Sequence, residues 1–344
     1  MNVALDWRPL VRTDLTELSG LVTAIEHLDD PSGRHSLDEL YETFDAAARH
    51  GPRSARDSRN PSADGLIGWA GETPVGFAWN IVFEHDQDPR RVVLTGGVHP
   101  GWRRQGIGRH LLKWQVERAR VWHTENLAEG HGPLRMLCYV DEKLADRSHL
   151  LERAGFGALR WYADMSRPLT DLPVAEVPAG FGLVGYHDQL SEQVRAAHNE
   201  AFADHWGSQP VGRASWAESC RRHSFRPDWS VVAVTDTGEV AGYAMNSAYQ
   251  QDWQASGVKE GWTDRIGVRR SYRGNGLAKA LLVRSMQSFQ AAGLDAAGLG
   301  VDADNPTGAF GLYESMGYLA GDKVVLYGRD EPGRDEDDPD QPAG

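Results

Sequence analysis

Cysteine is scarce in this 344-residue chain: Cys138 and Cys220 are the only two. That excludes a disulfide framework and a cysteine-based zinc site, and the 13 histidines show no ligand spacing that points to a metal. Long apolar runs are missing as well. No stretch approaches the roughly 18 residues of a membrane span, and Met1–Leu10 has no signal-peptide core. Positive charge is short: 36 Lys and Arg stand against 49 Asp and Glu, a formal net charge of −13. General binders of nucleic acid or of anionic membranes show the opposite balance. With 40% apolar and 25% charged residues, the composition is that of an ordinary globular protein, and a reducing cytoplasm is its expected setting.

At roughly 150 residues per domain the length suggests two domains, and the chain repeats itself. Pro74-Val75-Gly76-Phe77-Ala78-Trp79-Asn80 returns as Val240-Ala241-Gly242-Tyr243-Ala244-Met245-Asn246. Gly97-Val98-His99-Pro100-Gly101-Trp102-Arg103-Arg104-Gln105-Gly106-Ile107-Gly108 returns as Gly267-Val268-Arg269-Arg270-Ser271-Tyr272-Arg273-Gly274-Asn275-Gly276-Leu277-Ala278, and Leu150–Phe156 as Leu312–Tyr318. The three offsets, 166, 170 and 162 residues, are in order and nearly constant, which marks a duplicated domain and not a short-period solenoid.

Hydrophobic spacing gives both halves the same coarse plan. A strand (Leu5–Val11, Gly182–Tyr186) leads to helices at Leu15–Leu28 and Leu190–Ala203, then to shorter ones at Ser36–Ala48 and Arg213–His223. Two strands follow in each half: Leu66–Trp69 with Val75–Phe83, and Val231–Thr235 with Val240–Ala248. A long amphipathic helix (Gly106–Val121, Gly276–Ala292), a further strand (Arg135–Val140, Gly298–Asp302), a short helix and closing strands complete the plan. Gly51–Asp64 reads as a mobile polar loop. The expected boundaries are a first domain at 1–168, a Pro-rich linker at 169–180, a second domain at 181–329 and a disordered acidic tail at 330–344.

Each half carries an R-x-x-G-x-G/A turn between a strand and a helix: Arg103-Arg104-Gln105-Gly106-Ile107-Gly108, followed by Arg109, and Arg273-Gly274-Asn275-Gly276-Leu277-Ala278, followed by Lys279. Glycine admits a ligand close to the backbone, and free N–H groups at a helix start attract phosphate. Arg104 and Arg273 add positive charge. Neither copy is a Walker loop, since no Gly-Lys-Ser/Thr follows, and neither is a dinucleotide fingerprint.

With these motifs the chain resembles the GNAT superfamily of N-acetyltransferases over nearly its whole length, as a tandem pair. The resemblance implies an α+β fold of two domains, each with a mixed, mostly antiparallel sheet flanked by helices. It implies acetyl-CoA as cosubstrate, with its pyrophosphate in the turn and its pantetheine arm along the preceding strand, at Ile266-Gly267-Val268 in the second half and at Val98 in the first. Asp304-Asn305-Pro306 and Tyr313-Glu314-Ser315-Met316-Gly317-Tyr318 match the family's later helix. The resemblance thus gives Asn305 to coenzyme binding and makes Tyr313 the acid that protonates the departing thiolate. Within the superfamily the tandem arrangement, and the segment Ala201-Phe202-Ala203-Asp204-His205, look most like the mycothiol synthases of actinobacteria, which acetylate a cysteinyl amine.

The halves differ where chemistry would sit. Leu151 stands at the Tyr313 position, Lys143 at the Asn305 position and Leu94 at that of Asp264. The second half is therefore expected to be the catalyst, and the first a degenerate copy that still binds acetyl-CoA. Direct transfer to an amine needs a proton acceptor. Strand alternation aims Asp264 toward the thioester at Ile266–Val268. Glu260, Asp302 and a water relay stay open as alternatives, and a backbone N–H at Gly267 or Val268 would stabilise the developing oxyanion. His205, Trp206 and Trp262 are candidates for the acceptor site. The expected acceptor is a small-molecule primary amine, cationic in view of the acidic protein. The expected molecule is a monomer or weak dimer without nucleic-acid, membrane or metal partners. A rival reading from another class is a non-catalytic acyl-CoA sensor.

Overall fold

The structure is a computed structural model that describes residues 4–30, 33–50, 62–82, 89–125, 132–174, 176–303 and 308–332. The chain divides into two compact units, Met1–Leu159 with Val324–Gly344, and Arg160–Lys323.

The first half of the chain runs β1 (Asp6–Val11), α1 (Leu15–Asp29), α2 (Leu37–His50), β2 (Ser62–Ala70), β3 (Thr73–Val82), β4 (Arg90–Val98), α3 (Ile107–Glu125), β5 (Leu134–Asp141), α4 (Ala145–Arg153) and β6 (Gly157–Pro168). The second runs β7 (Phe181–Gly185), α5 (Ser191–Ala201), α6 (Arg213–Ser219), β8 (Val231–Thr235), β9 (Val240–Ser247), α7 (Gln250–Ser256), β10 (Glu260–Val268), α8 (Leu277–Ala291), β11 (Ala296–Asp302), α9 (Ala309–Ser315) and β12 (Leu319–Glu331). In each unit one pair is parallel, β4 with β5 and β10 with β11, as a helical crossover such as α3 or α8 requires. The other pairs within the units are antiparallel.

The crossover helices form because their apolar residues repeat at helical spacing. On α8, Leu277, Leu281, Leu282, Met286 and Phe289 are all buried, each worth roughly 1.5–3 kcal/mol. On α3 the same stripe is Ile107, Leu111, Leu112, Val116, Ala119 and Trp122. Strand β9 is buried along its whole length, because α8 covers one face while α5 and α6 pack on the other.

Several boundaries differ from the sequence reading. The sixth strand of each unit comes from the other half of the sequence. Val324–Glu331 pairs with β5 in the first unit, whereas residues 162–168 of β6 pair with β11 in the second. A cut through 169–180 therefore does not separate the units. The start of that segment is not a free linker either: Leu169 and Leu172 pack in the second unit's core, and Gln290 on α8 donates to the Leu169 carbonyl at 2.7 Å. The acidic tail begins later than 330, since Asp330 and Glu331 are in β12 and pair with Arg135 and Arg120; residues 333–344 lie outside the described ones. Ser62–Asp64 of the expected polar loop starts β2, and Asp64 is buried against Arg118; residues 51–61 lie outside the described ones. Helix α7 was not foreseen, and α6 ends at Ser219, short of His223.

Candidate active site

In the second unit β10 and β11 run side by side only from Glu260 with Ala296 to Thr263 with Leu299. Beyond that, β10 stays with β9 as far as Val268, and β11 stays with β6 as far as Asp302. The strands diverge, and the facing backbone groups of Asp264–Val268 and Gly300–Asp302 are left without each other. Unpaired strand edges of this kind accept an amide-bearing ligand as an added strand. The expected positions Ile266, Gly267 and Val268 are therefore on one wall of a wedge.

Strand β10 then turns into α8 through Gly274 and Gly276, whose φ angles of 80° and 84° suit glycine. The first-turn N–H groups of α8 have no helical acceptor, which leaves the backbone from Leu277 through Lys279 able to hold phosphate; Lys279 is exposed beside it. Two expected ligands use their side chains otherwise. Arg273 donates to the Val268 carbonyl at 3.1 Å and to the Ala201 carbonyl at 2.7 Å, and Asn275 donates to the Tyr272 carbonyl at 3.3 Å. Both brace the turn, so the cradle is mainly backbone. These groups fit acetyl-CoA: a wedge edge for its amides and an N-terminal helix turn for its phosphates.

Asp264 occupies a β-bulge. Thr263 faces Asn246 and Arg265 faces Met245, with Asp264 the extra residue between them. Two corrections follow. Alternation fails at a bulge, so Asp264 lies next to Ser247 on the α6 side, as Arg265 does, and not on the face of Ile266 and Val268. Leu94 is also not its counterpart. In the first unit the β3–β4 register runs without interruption, and Leu94 faces Asn80 as Thr263 faces Asn246. Asp264 is an insertion unique to the second unit.

The Asp264 carboxylate accepts hydrogen bonds from Ser247 and from the Tyr249 hydroxyl, the latter at 2.9 Å. Protein surrounds it on most sides although the side chain opens to solvent. Burial raises its pKa; the two hydroxyl bonds and the positive charges of Arg265 and Arg222 oppose the rise. Arg265 itself donates to Ser219 at 3.2 Å and lies over the Trp216 ring.

Of the alternative bases, Glu260 accepts from Ser166, and burial pushes its pKa up, with Ser166 opposing and the Asp164 charge adding. Trp262 and Glu260 lie side by side across Gly298, whose missing side chain leaves room for both. Asp302 is buried at the end of β11. Tyr313 is buried on α9 and makes an edge contact with Tyr318, ring centres 6.0 Å apart. Its hydroxyl bonds to no described residue, and burial pushes its pKa up to about 12, so it holds its proton at neutral pH. Asn305 lies outside the described residues.

His205 and Trp206 follow α5 in a turn. His205 packs on Phe202, its Nδ1 lies 3.3 Å from the Trp206 carbonyl, and Trp206 lies under the Arg160 guanidinium. None of the hydrogen bonds of His205 reaches Asp264. A different histidine is more deeply placed. His198 on α5 lies 2.6 Å from the Tyr243 hydroxyl, and burial, assisted by Arg265, pushes its pKa down to about 4. Neither residue was singled out in the sequence, although the repeat offers a signal: Tyr243 stands where the first half has Phe77.

The first unit repeats the wedge, with β4 and β5 paired only from Arg90 to Val93. A cavity of about 1720 Å³ opens there, lined by Gly97, Val98, Arg104, Gly106, Gly108 and Arg109 among others. Gln105 and Ile107 complete that turn, Ile107 as the buried first residue of α3. Arg103 does not face the cavity with a free charge: it makes two 2.8 Å bonds to Asp29 and one to the Val98 carbonyl. Arg104, at φ 64°, is a non-glycine residue held in the left-handed region, and it pairs with Asp146. Arg147 donates to the Gly96 carbonyl at 2.6 Å. This open volume belongs to the unit that lacks counterparts of Asp264 and Tyr313.

Among the described residues there is no cluster that could hold a metal ion, and no helix is long and apolar enough to cross a membrane. The sequence profile of the acetyltransferase (GNAT) family matches residues 24–129 and 191–318. A mycothiol acetyltransferase of Thermobispora bispora is 30% identical over 332 residues, covering 93% of this chain and 99% of that one. Another, of Pseudarthrobacter chlorophenolicus, is 30% identical over 261 residues, 75% of each. In fold the chain is similar to a GCN5-related N-acetyltransferase of Sphaerobacter thermophilus, with a TM-score of 0.72 at 22% identity and 96% and 97% of the two chains covered. It is also similar to a tandem GNAT protein from the clavulanic acid biosynthesis pathway, with a TM-score of 0.68 at 18% identity, covering 95% and 98%. Matched in both halves by the profile and along nearly its full length by a relative, the chain belongs to the acetyltransferase (GNAT) family and is an N-acetyltransferase that uses acetyl-CoA as cosubstrate.

Proposed function

We propose that the second unit transfers the acetyl group directly to a primary amine of a small molecule. The bulge carries the reading, because it puts a carboxylate with a raised pKa at the point where the wedge begins in this unit and not in the other. Acetyl-CoA supplies an activated thioester. Asp264 takes a proton from the incoming ammonium, directly or through water, so that a neutral nitrogen attacks. The nitrogen–carbon bond forms and the carbon–sulfur bond breaks. The Tyr313 hydroxyl gives its proton to the departing thiolate and takes up in return the proton that the attacking nitrogen sheds. The backbone N–H of Val268, which points away from β9, steadies negative charge on the carbonyl oxygen.

Asp264, Glu260 and Asp164 favour a cationic acceptor, and Trp262 offers an apolar wall next to Glu260. Because relatives are named mycothiol acetyltransferases, a cysteinyl amine heads the acceptors to test. The first unit, with Leu151 and Lys143 at the Tyr313 and Asn305 positions, binds acetyl-CoA without transferring from it. A protein that only senses acyl-CoA has no use for Asp264 and Tyr313, which is why the enzyme reading is preferred for the second unit.

The test is mass-spectrometric detection of acetylated product from acetyl-CoA and a panel of amines: the cysteinyl mycothiol precursor, aminoglycosides, polyamines, amino acids and short peptides. A product that disappears in Asp264→Asn and Tyr313→Phe supports the reading. A product formed equally well by both variants refutes the assignment to the second unit.

A further inference from the structure

We infer that His198 and Tyr243 are positioning residues that fix the backbone of Gly267 where the acyl carbonyl binds. The inference rests on the reading of the second unit as the transferase. Tyr243 on β9 stands directly across from Gly267 on β10. Its ring is so close that a Cβ at 267 would fall 2.8 Å from Cε1 and 2.9 Å from the hydroxyl oxygen. The far end of the ring is held in turn, since the hydroxyl and His198 Nδ1 are 2.6 Å apart. The imidazole is packed between Phe202 and Trp216, with ring centres at 4.7 and 5.4 Å. Tyr243 is 0% and His198 8% exposed.

The first unit shows what the fold alone requires. There Phe77 faces Gly97 in the same register, and the space around Gly97 is closed by Ile25 on α1, whose Cδ1 would lie 2.7 Å from a Cβ at 97. Two hydrocarbon side chains are enough to build the strand pair. A buried hydrogen bond adds only about 1 kcal/mol net over such packing, so folding does not explain the polar pair in the second unit. What a hydrogen bond adds is direction: apolar contact is non-directional, whereas a bond is confined to a narrow range of length and angle. Helix α5 also holds the other end of the same segment, because the Ala201 carbonyl accepts from Arg273. The stretch Gly267–Arg273 is thus tied to one helix at both ends, and a shift of a few tenths of an ångström at Gly267 would carry with it the adjoining Val268 N–H, which points away from β9 and toward the wedge.

The experiment installs the first unit's pair in the second. Full-length wild type, Tyr243→Phe and the double variant His198→Ile/Tyr243→Phe are compared by thermal unfolding and acetyl-CoA calorimetry. The other readouts are kcat with the acceptor found above and the ¹³C resonance of bound acetyl-CoA labelled at the carbonyl. The expected result is unfolding temperature and acetyl-CoA affinity close to wild type, kcat lower by about tenfold or more, and a bound carbonyl resonance displaced toward its free position. Wild-type kcat and resonance in the double variant would overturn the inference. So would a loss of kcat accompanied by equal losses of stability and acetyl-CoA affinity, which would mean that the pair only supports the fold. If the wild-type carbonyl resonance does not move on binding while a product is still formed, the second unit does not polarise the thioester, and the parent reading falls together with the inference.

Discussion

The Tyr249 hydroxyl donates to Asp264 Oδ1 at 2.9 Å from just beyond the end of the neighbouring strand, and so helps to hold a charged carboxylate in a place where burial disfavours charge. The balance between these two effects sets the pH range in which the Asp264 carboxylate is ionised.

A base is active when ionised, and a raised pKa means that activity is lost as pH falls through a value above the usual carboxylate range of about 4. Tyr249→Phe removes a bond that favours the ionised form, so the acid limb of kcat/KM moves to higher pH. Asp264→Asn lowers kcat by about 10²–10⁴-fold with little change in acetyl-CoA affinity. Rate profiles between pH 5 and 9 check both, and an unmoved limb in Tyr249→Phe removes Asp264 from the base role.

Tyr313→Phe keeps the ring and its contact with Tyr318 but deletes the proton donor. Turnover falls by about 10²-fold while calorimetric affinity for acetyl-CoA and the unfolding temperature stay near wild type. Unchanged turnover would show that solvent or another group protonates the thiolate.

Acid weakens the first unit at its last strand. Glu331 accepts from Arg120 at 2.7 and 2.6 Å, and that guanidinium holds its pKa below the usual range, as Arg135 does for Asp330. A depressed folded-state pKa gives stability that is present above the unfolded value and lost as pH falls through the folded one. Glu331→Gln therefore costs about 1 kcal/mol near pH 7 and nearly nothing at the acid end. Melting curves from pH 7 down to 3 test this, and a penalty that persists in acid would contradict it.

Calorimetry of the wild type finds two acetyl-CoA sites per chain, and Arg104→Ala weakens one of them. The exposed Arg104–Asp146 pair is worth little, so freeing Arg104 to meet phosphate costs little. A single site indifferent to Arg104→Ala would leave the first unit with an architectural role only.

Much of this was legible in the sequence. The repeat placed the strand–turn–helix elements in both halves, because hydrophobic spacing and glycine position are local properties. The bulge at Asp264 was not legible: one inserted residue alters no composition and is visible only in the register of a partner strand. For the same reason Leu94 aligned with the wrong residue. Arg273 looked like a phosphate ligand, since a sequence shows charge but not the carbonyls of Val268 and Ala201 that occupy it. Nothing in the sequence around His198 marks it, and only its contact with Tyr243 sets it apart. Cofactor, family and fold class could be read early because they rest on several motifs in fixed order, whereas a base rests on one side chain and its surroundings.

The exchange of sixth strands gives this protein an unusual order of assembly. Arg135 and Asp330, joined by paired hydrogen bonds, are 195 residues apart in the chain. During synthesis the first half emerges with the edge of β5 uncovered, and its partner strand is made only after the whole of the second unit. Such long-range closure is slow compared with local folding, and an uncovered strand edge invites pairing with a second nascent chain. Chaperone dependence and crossed dimers in which two chains lend each other β12 are the natural liabilities of this topology.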